Sequence, residues 1–207
     1  MTVDPRKRQK KLERRKAKQK QERRELAQRR PQSLSLQLEE AATAPILHCC
    51  VMADIWQSGM GQVLVSRQLR NGNVAVAIFL LDVYCLGVKN AMALIASRPK
   101  YDIDVYGKIA RDYTLLPLKP ECARKLVEGA ARYALDLGFS PHADYDTARL
   151  IFADISEDAC TEEYTFGKDG KPFFVAGPHD RQSRCDQILR TLRHRCGDDG
   201  YHFLVEV

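Results

Sequence analysis

The chain has 207 residues, of which 44% are hydrophobic and 29% are charged, and its formal net charge is +6. A chain of this length and composition can bury a core of its own in one domain. The longest apolar stretch, residues 74–88, contains Asp82 and is too short to span a bilayer, and the N-terminus lacks the apolar segment of a secretory signal. We therefore expect a soluble protein with no membrane partner.

The positive charge is concentrated in the first thirty residues, which hold fourteen Lys and Arg but only four acidic residues. This segment carries +10, whereas residues 31–207 carry −4. Its residue types favour a helix, yet it has no continuous apolar stripe with which to pack. We predict a basic arm over residues 1–31, helical or disordered, then a linker over 32–45 with a short helix near 34–42, and a single domain over 46–207.

A cationic arm without aromatic side chains is suited to the phosphate backbone rather than to the bases. We therefore predict RNA or a ribonucleoprotein such as the ribosome as its partner. Alternatives are a nuclear-import signal, a membrane-surface arm and an inert tail, and the lack of bulky apolar residues makes the membrane the weakest of these. The predicted contacts in the arm are Arg6, Lys7, Arg8, Lys10, Lys11, Arg14, Arg15, Lys16, Lys18, Lys20, Arg23 and Arg24.

The first half of the domain has the pattern of a β-sheet. Residues 46–52 are apolar and predict a strand, and residues 59–61 predict a turn. In residues 62–69 the side-chain types alternate, with Val63 and Val65 set against Leu64, Ser66 and Arg67. Residues 73–84 form a long run of residues that favour strands. Asn71-Gly72 between them predicts a tight hairpin turn with a positive φ at both central positions. We expect this hairpin to lie at the centre of the sheet.

The second half is predicted to be mainly helical. Helices are expected over residues 89–96, 120–137, 147–153 and 181–196, and residues 102–112 have no clear assignment. Asp180 is expected to cap the last helix and Gly197 to end it. Residues 164–175 predict a second hairpin, and 201–207 a closing strand. Because strands and helices come in blocks, the predicted fold class is α+β, an antiparallel hairpin-based sheet packed with several helices.

The last helix carries arginines beside its apolar stripe. Guanidinium groups bind phosphate oxygens with two parallel hydrogen bonds, so Arg184, Arg190 and Arg193 are predicted to contact nucleic acid. An ordinary exposed helix face is the alternative.

Four further side chains are candidates for catalysis or metal binding: Asp82, His142, Asp144 and Asp180. Together they could hold Mg²⁺ or another divalent ion in a nuclease or phosphoryl-transfer enzyme. Structural explanations are also possible, because Asp82 lies near a strand end, Pro141 predicts a turn beside His142, and Asp144 and Asp180 can cap helices. We favour a protein that is not an enzyme and has no cofactor, with the metal enzyme as the alternative and a protein-interaction adaptor as a further one.

The seven cysteines have no regular spacing, which predicts reduced thiols and a cytoplasmic protein, or a nuclear one in a eukaryote. Cys85 could act as a nucleophile with His142 as its base, but a buried free cysteine is more common. A zinc site is arithmetically possible from the poorly spaced set Cys185, His194, Cys196 and His202.

Overall fold

The computed structural model describes residues 33–177 and 180–205, and the residues from Leu34 onward belong to one compact unit. The predicted basic arm, residues 1–31, lies outside the described residues. So do Pro178, His179 and the last two residues of the expected closing strand.

Five antiparallel strands form the main sheet: β1 (Ile46–Met52), β2 (Met60–Gln68), β3 (Asn73–Asp82), β4 (Gly87–Ser97) and β5 (Leu115–Pro117). Their order across the sheet is β4-β3-β2-β1-β5. Two shorter strands, β6 (Phe173–Val175) and β7 (His202–Leu204), pair in parallel. The predicted hairpin is confirmed as β2 and β3, which have a neighbouring strand on both sides.

The α-helices are α1 (Leu34–Glu40), α2 (Ile55–Ser58), α3 (Arg98–Lys100), α4 (Gly107–Asp112), α5 (Pro120–Asp136), α6 (Tyr145–Ala148) and α7 (Gln182–Cys196). A π-helical segment, Tyr101–Tyr106, joins α3 to α4, and 3₁₀ turns occur at Ala41–Thr43, Arg149–Phe152 and Glu157–Ala159. An antiparallel sheet packed with several helices confirms the predicted α+β class. Of the helices in the described part of the chain, none has the length and apolar character needed to cross a bilayer.

The prediction of a helix over residues 89–96 is wrong, because this segment is part of strand β4. Alanine, methionine and leucine favour helices locally. Here, however, the segment pairs with β3 along its length, and the pairing overrides the local preference. Its side chains alternate in the manner of a strand, since Ala91 is buried whereas Met92 is exposed.

The turn between β2 and β3 differs in type from the one predicted. Gly72 has a φ of 82°, but Asn71 has no positive φ. The Gly72 N–H donates to the Leu69 carbonyl at 3.1 Å, and the Leu69 N–H donates to the Asn73 carbonyl at 2.8 Å. This is a type I turn followed by a left-handed glycine, which is the usual geometry of a three-residue hairpin loop.

The predicted linker over residues 32–45 is largely packed. It contains α1, whose Leu38 is completely buried, and Ala41 is 1% exposed in the 3₁₀ turn that follows. Both side chains belong to the main core. A sequence with two acidic and several polar residues around one buried leucine gives little local sign of this packing.

The side chain of Arg67 secures this N-terminal segment to the domain. Its Nη1 donates to the carbonyls of Ala42 and Ala44 at 2.8 and 2.7 Å, and its Nε donates to the Ile151 carbonyl at 2.8 Å. A fourth bond from Nη2 reaches Phe152. Arg67 as a whole residue is 5% exposed, and backbone carbonyls accept the hydrogen bonds of its buried guanidinium group.

The main core lies on one face of the sheet, where α5 and α6 pack against Val63, Val65 and Phe79. Residues 101–112 pack on part of the second face, against a smaller cluster that includes Leu64 and Val76. Successive side chains of β2 and β3 point to opposite faces of the sheet, so both strands contribute apolar residues to both clusters.

A hydrogen-bonded polar cluster fixes residues 101–112 on the second face. The hydroxyl of Tyr101 is 2.7 Å from His48 Nδ1 and 2.8 Å from Ser66 Oγ, and the ring of His48 stacks on Tyr106 with 4.1 Å between centroids. Burial raises the pKa of Tyr101 and lowers the pKa of His48. Both side chains are therefore neutral at pH 7. Their hydrogen bonds hold the π-helical segment against strands β1 and β2.

The prediction that all seven cysteines are reduced is wrong for one pair. Cys122 on α5 and Cys160 form a disulfide bond, with 4.9 Å between their Cα atoms. The 3₁₀ turn Glu157–Ala159 brings Cys160 against the start of α5, a tertiary contact that cysteine spacing does not reveal. The spacing of the cysteines therefore does not indicate a reducing compartment.

Of the second hairpin predicted over residues 164–175, only the turn at its tip is present. Asp169 and Gly170 both have positive φ, and one bridge joins Lys168 to Lys171. The strand that follows, β6, pairs with β7 instead of folding back on residues 164–166. The closing strand is thus short and joins a small parallel pair, not the main sheet.

The last helix is confirmed as α7, with Gly197 as its C-cap, but Asp180 does not cap it. The N-cap position is Arg181, and the Asp180 carboxylate accepts a hydrogen bond from the Gly177 N–H at 2.8 Å. The helix predicted over residues 147–153 is present as α6 and the 3₁₀ turn that continues it.

The turn from Asp82 to Gly87 packs closely against α5. Gly87 has a φ of 65°, and a Cβ atom at this position would lie 2.5 Å from the Ala130 carbonyl oxygen and 2.6 Å from the Ala134 Cβ. Glycine is therefore required for two separate reasons, the backbone conformation and the lack of space.

We expect Gly87→Ala to lower the free energy of unfolding by about 3 kcal/mol or more, because left-handed strain and steric overlap with a backbone oxygen add together. Gly72→Ala is the matched control, since Gly72 also has a positive φ but nothing lies within 4 Å of its missing Cβ. It should cost about 1 kcal/mol. Urea unfolding measures both values, and equal losses would contradict the steric argument.

Candidate functional site

Helix α7 and the loop of residues 138–142 enclose a groove of about 380 Å³. Its polar lining consists of two cations, an imidazole, two hydroxyls and an amide, from Lys89, Arg184, His142, Ser140, Thr191 and Gln187. Among the described residues that line it there is no carboxylate. We call this feature the cationic groove.

One wall of the cationic groove is a face of α7. Arg184, Gln187 and Thr191 are spaced three and four residues apart, which places them on the same side of the helix. The adjacent side of α7 carries Ile188 and Leu192, which are buried in the second core cluster. Packing of this apolar stripe therefore fixes the direction in which the polar face points.

The opposite wall is the loop of residues 138–142, which is fastened to the start of β4. The His142 N–H donates to the Val88 carbonyl at 3.0 Å. The Asp144 N–H approaches His142 Nδ1 at 3.2 Å, so the neutral imidazole accepts at Nδ1 and carries its proton on Nε2. His142 can thus act as a hydrogen-bond donor without being charged.

Lys89 reaches the groove from the bulged start of β4. Within residues 33–177 and 180–205, no carboxylate oxygen lies within 4.0 Å of its ammonium group. Arg184 Nε is 4.0 Å from Asp180 Oδ1, at the outer limit of an ion pair. Both cations are therefore available to an anionic ligand.

Asp82, a predicted metal ligand, has a structural role beneath the groove. It is 4% exposed, and its Oδ1 accepts hydrogen bonds from the Tyr84 and Cys85 N–H groups at 3.0 and 2.9 Å. Burial raises the pKa of Asp82, and the bond from Cys85 and the charge of Lys89 oppose this rise. The carboxyl group holds the turn that leads into β4 and does not line the groove.

Arg190 and Arg193, also predicted to bind phosphate, lie away from the groove. They follow Arg184 by six and nine positions, which places them roughly 120° and 180° around the helix. Arg190 Nε donates to the Asp186 carbonyl at 3.3 Å, and Arg193 Nε is 2.8 Å from Asp198 Oδ1. Of the three predicted arginines, the structure brings Arg184 alone into the groove.

The described residues do not form a metal site. No three His, Cys, Asp or Glu side chains among them converge where they could hold a metal ion. This covers the candidates Asp82, His142, Asp144 and Asp180, and also the zinc set of residues 185, 194, 196 and 202. His142 and Asp144 are neighbours, with 3.8 Å between Nδ1 and Oδ2, but no third ligand joins them.

The structure does not support Cys85 as a nucleophile. Its side chain is completely buried in the second core cluster together with Cys185 and Phe174. Burial raises the pKa of the Cys85 thiol, so the thiol is protonated and has no access to a substrate.

Several residues of the groove were not predicted from the sequence. Lys89 lies in the segment for which the sequence predicts a helix, and Ser140 belongs to no predicted site. A signal for Gln187 and Thr191 was present, because their spacing from Arg184 places all three on one helix face.

Two cations beside neutral hydrogen-bonding groups, with no carboxylate in the described lining itself, are suited to an oxyanion such as a phosphate group. The hydroxyl and amide groups can also bond to a sugar hydroxyl. The groove thus combines positive charge with neutral hydrogen-bonding groups.

Comparisons of the chain with protein-family models, with curated proteins and with solved structures gave no match.

We expect Asp82→Asn to change how stability depends on pH. The pKa of Asp82 is higher in the folded chain than in the unfolded one, so the folded state favours the protonated carboxyl. As the pH rises through the range in which Asp82 loses its proton, the wild-type protein should lose stability relative to Asp82→Asn. The amide keeps the acceptor oxygen but carries no charge.

Urea unfolding of both proteins between acidic and neutral pH measures this difference. Asp136→Asn, at an exposed position at the end of α5, is the control for the removal of one carboxylate, and the pH-dependent difference should be larger for Asp82→Asn. A relative gain in wild-type stability with rising pH would mean that the hydrogen bonds outweigh the cost of burying the charge.

Proposed function

We propose that this protein binds RNA or a ribonucleoprotein through the phosphate backbone. The basic arm supplies affinity that does not depend on sequence, and the cationic groove supplies a contact with fixed geometry. The protein acts as a binding protein and not as a catalyst, and a cytoplasmic location, or a nuclear one in a eukaryote, fits this role.

The observation that carries the proposal is the segregation of charge along the chain. The first thirty residues hold +10, while the remaining residues hold −4. A polyanion is attracted to the arm and repelled on average by the rest of the chain, so contact with the domain must occur at a local cationic surface. The cationic groove supports this requirement, because its lining has Lys89 and Arg184 and no carboxylate.

The neutral groups of the groove favour RNA over DNA. A ribose 2′-hydroxyl both donates and accepts hydrogen bonds, and it is the group by which proteins distinguish RNA. Gln187, Thr191 and Ser140 offer donors and acceptors beside the two cations. A volume of about 380 Å³ suits one or two nucleotides of a strand rather than a duplex.

The alternative of a metal-dependent nuclease has no support among the described residues. Its candidate ligands do not converge, and the most buried of them, Asp82, already serves two backbone amides.

We expect salt-dependent RNA binding to separate the contributions of the arm and the groove. A full-length variant with Gln at Lys10, Lys11, Arg14, Arg15 and Lys16 should lose about 3.5 from the slope of log affinity against log salt, at about 0.7 per lost phosphate contact on a single strand. The groove variant Lys89→Ala/Arg184→Ala should lose about 1.4 by the same rule. Filter binding over a range of salt concentrations measures these slopes.

Lys100→Ala/Arg111→Ala removes two exposed cations outside the groove and is the matched control for the groove variant. It should bind RNA as the wild type does, and the wild type should bind an RNA strand more tightly than the DNA strand of the same sequence. Unchanged binding by the arm variant would end the proposal, and equal losses in the groove and control variants would remove the groove from it.

A further inference from the structure

Strand β4 forms one edge of the main sheet and is eleven residues long. Residues 90–97 of this strand, Asn-Ala-Met-Ala-Leu-Ile-Ala-Ser, carry no charge. Edge strands of monomeric proteins are usually short, charged or interrupted by proline, which prevents pairing with other chains. The opposite edge, β5, follows this rule with three residues, whereas β4 does not.

The hydrogen-bond pattern shows which backbone groups of β4 face outward. The bond from the Leu69 N–H to the Asn73 carbonyl places Asn73 and every second residue after it toward β2. The intervening residues of β3 therefore bond to β4. By the register of the pair, outward-facing N–H and C=O groups in β4 belong to Ala91, Ala93 and Ile95.

One end of this edge is already occupied. The Val88 carbonyl also faces outward and accepts the His142 N–H at 3.0 Å. In the described part of the chain, no such backbone partner occurs for Ala91, Ala93 or Ile95. The free edge therefore extends from the bulge residue, Lys89, to Ser97, where the strand ends.

The middle of the free edge, residues 91–96, has only apolar side chains. Met92 is 47% exposed, and Ala93, Leu94 and Ile95 are partly exposed. Met92 lies on the second face of the sheet, where it forms part of the apolar lining of a groove of about 430 Å³ together with Ile78 and Leu80; the groove also has polar residues such as Asp104 and Lys108. Apolar surface is thus continuous from the edge onto the face.

We propose that two copies of this chain associate by antiparallel pairing of their β4 strands, which creates a continuous ten-stranded sheet. Pairing of the whole free edge, residues 89–97, with itself places the two-fold axis at Ala93. The outward-facing residues then meet in hydrogen-bonded pairs, Ala93 with Ala93 and Ala91 with Ile95 of the second copy.

The side chains are self-complementary in this register. Met92 faces Leu94 of the second copy across a non-hydrogen-bonded pair, where side chains approach most closely. Alanine at the two-fold axis leaves room for the two backbones to approach. Like charges do not oppose each other, because Lys89 lies opposite Ser97 of the second copy.

A second copy is favoured over a foreign peptide because the edge is complementary to itself. In this register outward-facing backbone groups meet outward-facing backbone groups, and apolar side chains meet apolar side chains. A two-fold axis perpendicular to the sheet keeps the second faces of both copies on the same side. The exposed Met92 is thereby covered, and the grooves that Met92 lines in the two copies become neighbours across the interface. This association does not depend on RNA binding.

Sedimentation velocity of the full-length protein tests the dimer, after nuclease treatment and in salt high enough to prevent bridging by RNA. The wild type should have twice the 23.5 kDa mass of one chain. Met92→Lys should be monomeric, because it places a charge in the interface, and its circular dichroism should be unchanged. Leu116→Lys is the matched control, since Leu116 on β5 is 48% exposed at the other edge, and it should remain dimeric.

Cysteine cross-linking tests the register and does not depend on the Met92→Lys variant. Cα atoms of a hydrogen-bonded pair lie about 5.5 Å apart, within the range of a disulfide. Ala93→Cys should therefore form a covalent dimer under oxidising conditions, whereas Ser97→Cys should not, because Ser97 lies opposite Lys89. A wild type that is monomeric at concentrations of about 100 μM, well above a micromolar dissociation constant, would overturn the proposal. So would equal cross-linking of the two cysteine variants.

Discussion

The turn from Asp82 to Gly87 is the constraint on which the rest of the domain depends. It joins the main sheet to the second core cluster, in which Leu86 packs beside α7. Its backbone also holds the C-terminal part of the chain, because the Val83 carbonyl accepts the Gly167 N–H at 2.9 Å and the Tyr84 carbonyl accepts the Phe173 N–H at 3.1 Å. A displaced turn would move both the bulged start of β4 and α7, so the cationic groove depends on the position of this turn.

Elements with strong local signals could be predicted from the sequence. Pro120 begins α5 and Gly197 ends α7, and a glycine turn joins β2 to β3. The errors occur where tertiary contacts override local preference. Strand β4 is built from helix-forming residues, and Leu38 is buried by neighbours distant in sequence. The disulfide of Cys122 with Cys160 depends on how a 3₁₀ turn packs against α5, which cysteine spacing cannot show.

The candidate site could be predicted only in part. His142 and Arg184 were identified from their chemistry but assigned to separate sites, a metal centre and a basic helix face. The structure places them in one groove with Lys89, and their separation in sequence explains why no motif connects them. Asp82 has the residue type and position of a metal ligand, but its hydrogen bonds to two amides show that it stabilises a turn. Only the fold distinguishes these two uses of a carboxylate at a strand end.

The central claim is that the basic arm and the cationic groove contact the same RNA. The most direct measurement is ultraviolet cross-linking in cells, followed by mass spectrometry of the peptides that carry RNA. The account predicts RNA adducts on peptides from the arm and on peptides that contain Lys89, His142 or Arg184. Adducts confined to other parts of the domain, or no RNA adduct at all, would contradict it.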